Sequence, residues 1–127
     1  MRTARGGKMD DEWEWAVDLD PDFLEVYSTF SNTCWSPSYP RALEPKFREL
    51  IAIVVLSNRG FHWSLAAHIR QARRLGASFQ EILEALEAAV ILGGAPILHL
   101  GLKSLMQVVK EEEEAAKTTD AGGSPGV

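Results

Sequence analysis

The chain is poor in the residues that staple or metallate small domains. It holds one cysteine, Cys34, and three histidines, His62, His68 and His99. A single cysteine excludes an intramolecular disulfide and any CxxC pair, for metal or for redox work. Beside Trp35, Cys34 reads most simply as a small buried hydrophobe. His62 and His68 lie six residues apart, not at the i, i+4 spacing of a helical metal site. With His99 and Glu49 they would number enough ligands for zinc or iron. No local spacing supports such a site, so neither a metal nor another cofactor is expected. Positive charge is also short. Thirteen Lys and Arg face 18 Asp and Glu, a formal net charge of −5. That balance disfavours nucleic acid, where phosphate neutralisation dominates affinity. Arg70, Arg73 and Arg74 read as a solvated helix face. Apolar runs are broken well before the roughly 18 residues needed to span a bilayer, so no membrane partner is expected. Residues 1–10 are basic but have no apolar stretch behind them, unlike a secretory signal. A cytoplasmic location is expected.

What is present is helical pattern in one domain-sized length. Of the 127 residues, 46% are apolar, which suits a globular chain. Residues 1–10 read as a flexible arm, 11–112 as the helical domain, and 113–127 as a disordered acidic and glycine-rich tail. Asp20-Pro21 is a helix start, followed by a stripe of Phe23, Val26, Tyr27 and Phe30. A second helix is expected over 43–58, with Leu43, Phe47, Leu50, Ile51, Val54 and Val55 along one face. A third runs from about His62 to Leu75 and stops at Gly76, a left-handed cap. Ser78 with Glu81 forms a capping box for a fourth. Gly93-Gly94-Ala95-Pro96 ends that one, and a fifth follows from Ile97 to about Glu112. No segment keeps a strand period for long. The expected fold is all-α, a bundle of about five helices.

One constellation can carry chemistry. Each helical residue turns by about 100°, so Phe61, Ser64 and His68 share a face. Ser64 lies one turn before His68 and can reach its ring. Glu49 sits nineteen residues before His68, on the preceding helix, and a helical hairpin can bring the two together. A carboxylate against an imidazole can hold and move a proton. From spacing alone the plainer reading stands first: Glu49 pairs with Arg48, Lys46 or Arg70, and His68 is a satisfied core histidine.

The order and spacing of Glu49, Phe61, Ser64 and His68 resemble the carboxymuconolactone decarboxylase and alkylhydroperoxidase-D-like family. Supporting stretches are Asp20-Pro21-Asp22-Phe23, Trp35, Lys46-x-Arg48-Glu49-Leu50-Ile51, Ala67-His68, Gly76-Ala77-Ser78 and Gly93-Gly94-Ala95-Pro96. The likeness covers roughly Pro21 to Val109. It favours the Glu49–His68 pair over the plainer reading. It implies a helical protomer assembling as a trimer or hexamer, with active sites near subunit contacts. The family's thiol branch uses paired cysteines with Glu and His as a proton relay. Phe61 and Ser64 stand at those cysteine positions, which excludes that mechanism here. The other branch decarboxylates a muconolactone-type acid without a redox thiol. Trp35, Pro40-Arg41 and Ser57-Asn58-Arg59-Gly60 look more like this branch, whereas the Gly60-to-His68 stretch has the length of the thiol branch.

The resemblance therefore implies acid/base chemistry, decarboxylation or proton transfer, on a small carboxylated lactone or related acid. His68 is the expected acid/base and Glu49 its partner. Ser64 and His62 are candidate donors, and Arg48 or Arg59 a candidate clamp for a substrate carboxylate. For Arg59, a charge complementing the C-terminal helix dipole is the preferred reading. Phe61 and Trp35 are candidate pocket walls. His99 can line the same cavity, though a surface histidine at a helix end is the simpler reading. The competing function is a silent oligomeric binding or assembly module of the same fold.

Overall fold

The computed structural model describes residues 11–36 and 38–122. They form six α-helices: α1 (Asp11–Leu19), α2 (Pro21–Trp35), α3 (Pro45–Arg59), α4 (His62–Arg74), α5 (Phe79–Gly93) and α6 (Ala95–Gly122). No strand occurs among the described residues. The chain divides into two compact units within α3, between Arg48 and Glu49.

In the first unit, Asp20 is the hinge of an α1–α2 pair. Its Oδ1 accepts from the Phe23 amide at 3.1 Å, and Pro21 occupies the first turn, as expected from the sequence. Asp11, Glu12 and Glu14 place negative charge on the first turn of α1, where the helix dipole favours it. Trp13 stacks on Tyr27 at 5.4 Å. Leu24 is the buried residue of α2, and the stripe Phe23, Val26, Tyr27, Phe30 faces outward. Two arginines close the C-terminal end of α2. Arg41 Nε donates to Thr33 O at 2.9 Å, and Arg48 Nη1 donates to Cys34 O and Ser36 O at 2.8 and 3.3 Å. The orphan carbonyls of a helix end are satisfied this way.

The second unit carries the core: Ile53, Leu65, Ile69, Ala72, Ala77, Ile82, Leu86, Ile97, Leu105 and Val108. Burying each large aliphatic side chain contributes about 1.5–3 kcal/mol. Local signals set the ends of its helices. Gly76 follows α4 at φ +98°, a backbone region that favours glycine. Ser78 Oγ accepts from the Glu81 amide at 2.9 Å and Glu81 Oε1 accepts from the Ser78 amide at 3.0 Å, a complete capping box. α5 and α6 approach closely at Gly101, where a Cβ would stand 2.5 Å from both Leu86 methyls.

Four expectations change. Six helices occur among the described residues, because the acidic segment 11–19 folds as α1. α6 runs on to Gly122, so residues 113–122 of the expected tail are helical; 1–10 and 123–127 lie outside the described residues. Cys34 is exposed, not buried, because it sits on the outer side of the last turn of α2. The inward face of α3 also differs. Phe47, Ile51 and Val55 are 40–53% exposed. The packed positions are Glu49, Ala52, Ile53, Leu56 and Ser57, an i, i+3, i+4, i+7, i+8 set. Two of its members are polar, so a stripe traced by apolar residues alone picks the wrong face.

Candidate active site

The same periodicity that builds the core buries two titratable groups. Glu49 opens the inward face of α3. On α4 the buried set Leu65, His68, Ile69 and Ala72 follows i, i+3, i+4, i+7, and His68 is one of its members. The turn at Gly60 (φ +74°) reverses the chain between the two helices. The two side chains therefore meet inside: His68 Nδ1 lies 2.6 Å from Glu49 Oε2, with 5% and 7% of the side chains exposed.

A carboxylate only accepts, so Nδ1 carries the proton and donates it. That orients the ring, with Nε2 as its second nitrogen. A hydrogen bond to an ionised carboxylate is shorter and stronger than a neutral one. Few waters screen this one, so it is stronger than a surface contact. Removing one partner leaves a buried polar group without this bond, at a cost of about 1–3 kcal/mol. Glu49 thus pairs with His68, while Arg48 turns to the α2 carbonyls and Arg70 to Glu111.

Ser64 is half-buried on α4, one turn before His68. Phe61 is the N-cap residue of α4 and makes no side-chain cap bond. Its ring lies 4.8 Å from Trp63 and 4.9 Å from the Arg59 guanidinium. Arg59 ends α3, the position where a cation complements the helix dipole. His62 is exposed, with Nδ1 3.3 Å from Gly60 O and its ring edge-on to Trp63. His99 is exposed near the start of α6. Trp35 and Arg48 belong to the first unit, half-buried and buried respectively. No group of three or more His, Cys, Asp or Glu side chains suited to a metal ion occurs among the described residues. No described helix is long and apolar enough to cross a membrane.

Sequence reasoning passed over Ser57. It is 1% exposed, two turns beyond Glu49 on the same inward face, and its Oγ has no partner among the described residues. A buried hydroxyl left in that state costs about 1–3 kcal/mol. A serine at a core position of an amphipathic helix was the available signal.

Comparison with known proteins converges on these helices. The sequence profile of the carboxymuconolactone decarboxylase family matches residues 21–103, from the start of α2 into α6. A crystal structure from Burkholderia xenovorans LB400, provisionally described as a carboxymuconolactone decarboxylase, superposes with a TM-score of 0.76 at 23% identity. The alignment covers 91% of this chain and 88% of that one, a likeness of fold. Among curated proteins there is no match.

Proposed function

Because the chain belongs to the carboxymuconolactone decarboxylase family, we propose that it catalyses thiol-free acid/base chemistry on a small carboxylated lactone or a related organic acid. The 2.6 Å bond between His68 Nδ1 and Glu49 Oε2 carries this reading. Glu49 holds the imidazole in one tautomer and stabilises the imidazolium when the ring takes up a proton. His68 Nε2 exchanges that proton with the substrate carbon as carbon dioxide leaves, or with the carbon acid in a plain proton transfer. The developing enolate charge calls for donors aimed at it; Ser64 and His62, on the same helix as His68, are the candidates. With one cysteine, the chain has no CxxC pair for the family's peroxidase chemistry.

Assembly as a trimer or hexamer is part of the proposal. Ile51, Val55, Ile91 and Leu92 are large apolar side chains 46–93% exposed, more than a domain of this size leaves uncovered without cause.

The test is turnover of carboxymuconolactone and related lactone acids, read as carbon dioxide release and as deuterium incorporation in heavy water. Turnover that His68→Ala abolishes supports the assignment. No turnover across the set, with the same acids still binding, favours the silent binding module instead, since Phe61 and Ser64 stand at the positions of the family's paired cysteines.

A further inference from the structure

α6 outruns the core it serves. Val108 is its last buried residue, Val109 is half-buried, and 110–120 are exposed. A helical segment of that length with no apolar face against the fold is marginal in water. Two ion pairs nevertheless tie it to α4. Arg70 Nε and Nη2 donate to the two carboxylate oxygens of Glu111, both at 2.8 Å. Arg73 Nε and Nη2 donate to those of Glu112 at 2.8 and 2.9 Å. Each is a fork on a fork, the geometry in which arginine holds a carboxylate best.

One of the two arginines is itself anchored. Arg73 Nη1 donates to Ala77 O at 2.9 Å, and its guanidinium lies 3.9 Å from the centre of the Phe79 ring. Gln107 Nε2 braces Glu111 from the preceding turn at 3.2 Å. The charged groups around the forks are Arg74 on α4, held by Gln71 Oε1 at 2.7 Å, and Lys110, Glu113 and Glu114 along α6. The forks hold the Glu111 carboxyl down to about 2 and that of Glu112 below its usual range, and raise both arginines.

We propose that residues 110–120 are a charge-latched arm. The two forks fold it over the basic stripe Arg70–Arg73–Arg74 of α4, and screening or acid releases it. Exposed ion pairs usually count for little. Here they decide the outcome, because the arm has no buried apolar side chain to hold it otherwise. Both carboxyls are depressed in the closed state. Their contribution is full above the ordinary glutamate range, near 4.5, and is lost as pH falls below it, for Glu111 toward about 2.

Amide hydrogen exchange on the full chain tests this. At neutral pH and low salt, segment 110–120 is expected to exchange roughly tenfold more slowly than in the double variant Glu111→Arg, Glu112→Arg, with 97–108 unchanged. Adding Arg70→Glu and Arg73→Glu, which swaps the charges, should restore the protection. Salt at about 1 M should reproduce the loss in the original chain. Equal exchange in the original and reversed chains overturns the latch. So does a swapped chain as unprotected as the reversed one, or a loss of protection that spreads through 97–108.

Discussion

Glu49 and His68 occupy positions where their helices would ordinarily carry leucine or valine. Their mutual bond makes the placement tolerable. The residue identities and the hairpin were legible from the sequence, and so was the possibility of contact. The choice between His68 and three basic neighbours as partner of Glu49 was not, because spacing along a chain does not say which way a side chain leaves its helix. Ser57 was missed for the same reason. Cys34 shows the reverse error: a small thiol beside a tryptophan looks apolar, yet it lies on the outer side of α2. Its exposure gives a prediction at this scale. The folded chain should react with a thiol reagent at one site without loss of turnover, and peroxide reduction with a dithiol regenerant should stay at background. A peroxidase activity that Cys34→Ser abolishes would mean that one thiol suffices.

Among the elements, the ends that depend on local chemistry were readable and those that depend on distant partners were not. Asp20-Pro21, Gly76 and the Ser78–Glu81 box act within a few residues, and each stands where the sequence puts it. The inward face of α3 and the last turns of α6 answer to side chains far along the chain. An acidic run such as 111–114 looks like tail until Arg70 and Arg73 are placed opposite it. The α5–α6 contact offers a clean test. Alanine is the better helix former than glycine by about 1 kcal/mol. At position 101, however, the new methyl would stand 2.5 Å from two carbons of the fully buried Leu86, and overpacking of that kind costs about 1–3 kcal/mol. Gly101→Ala should therefore lower the urea midpoint, and Leu86→Val should recover part of the loss in the double variant. A Gly101→Ala chain more stable than the original would show that α5 and α6 can move apart freely.

For the whole molecule, the apolar residues left outside bear on assembly as the buried ones bear on folding. Light scattering at micromolar concentration should report a trimer or hexamer; a stable monomer would contradict the assembly part of the account. The fold class and the family likeness could be read from the sequence because they rest on many weak, ordered signals. The exposed face of α3 could not, because it is apolar too. Activity rests on far fewer atoms. The most direct measurement is deuterium incorporation and carbon dioxide release from a carboxylated lactone by the original chain, Glu49→Gln, His68→Ala and the double variant, all confirmed folded by circular dichroism. The account predicts a loss of roughly 10²–10⁴-fold for His68→Ala, a loss for Glu49→Gln as well, and a double variant little worse than the worse single, as for groups that act as a unit. Glu49→Gln and His68→Ala chains that turn over substrate at the original rate would contradict it.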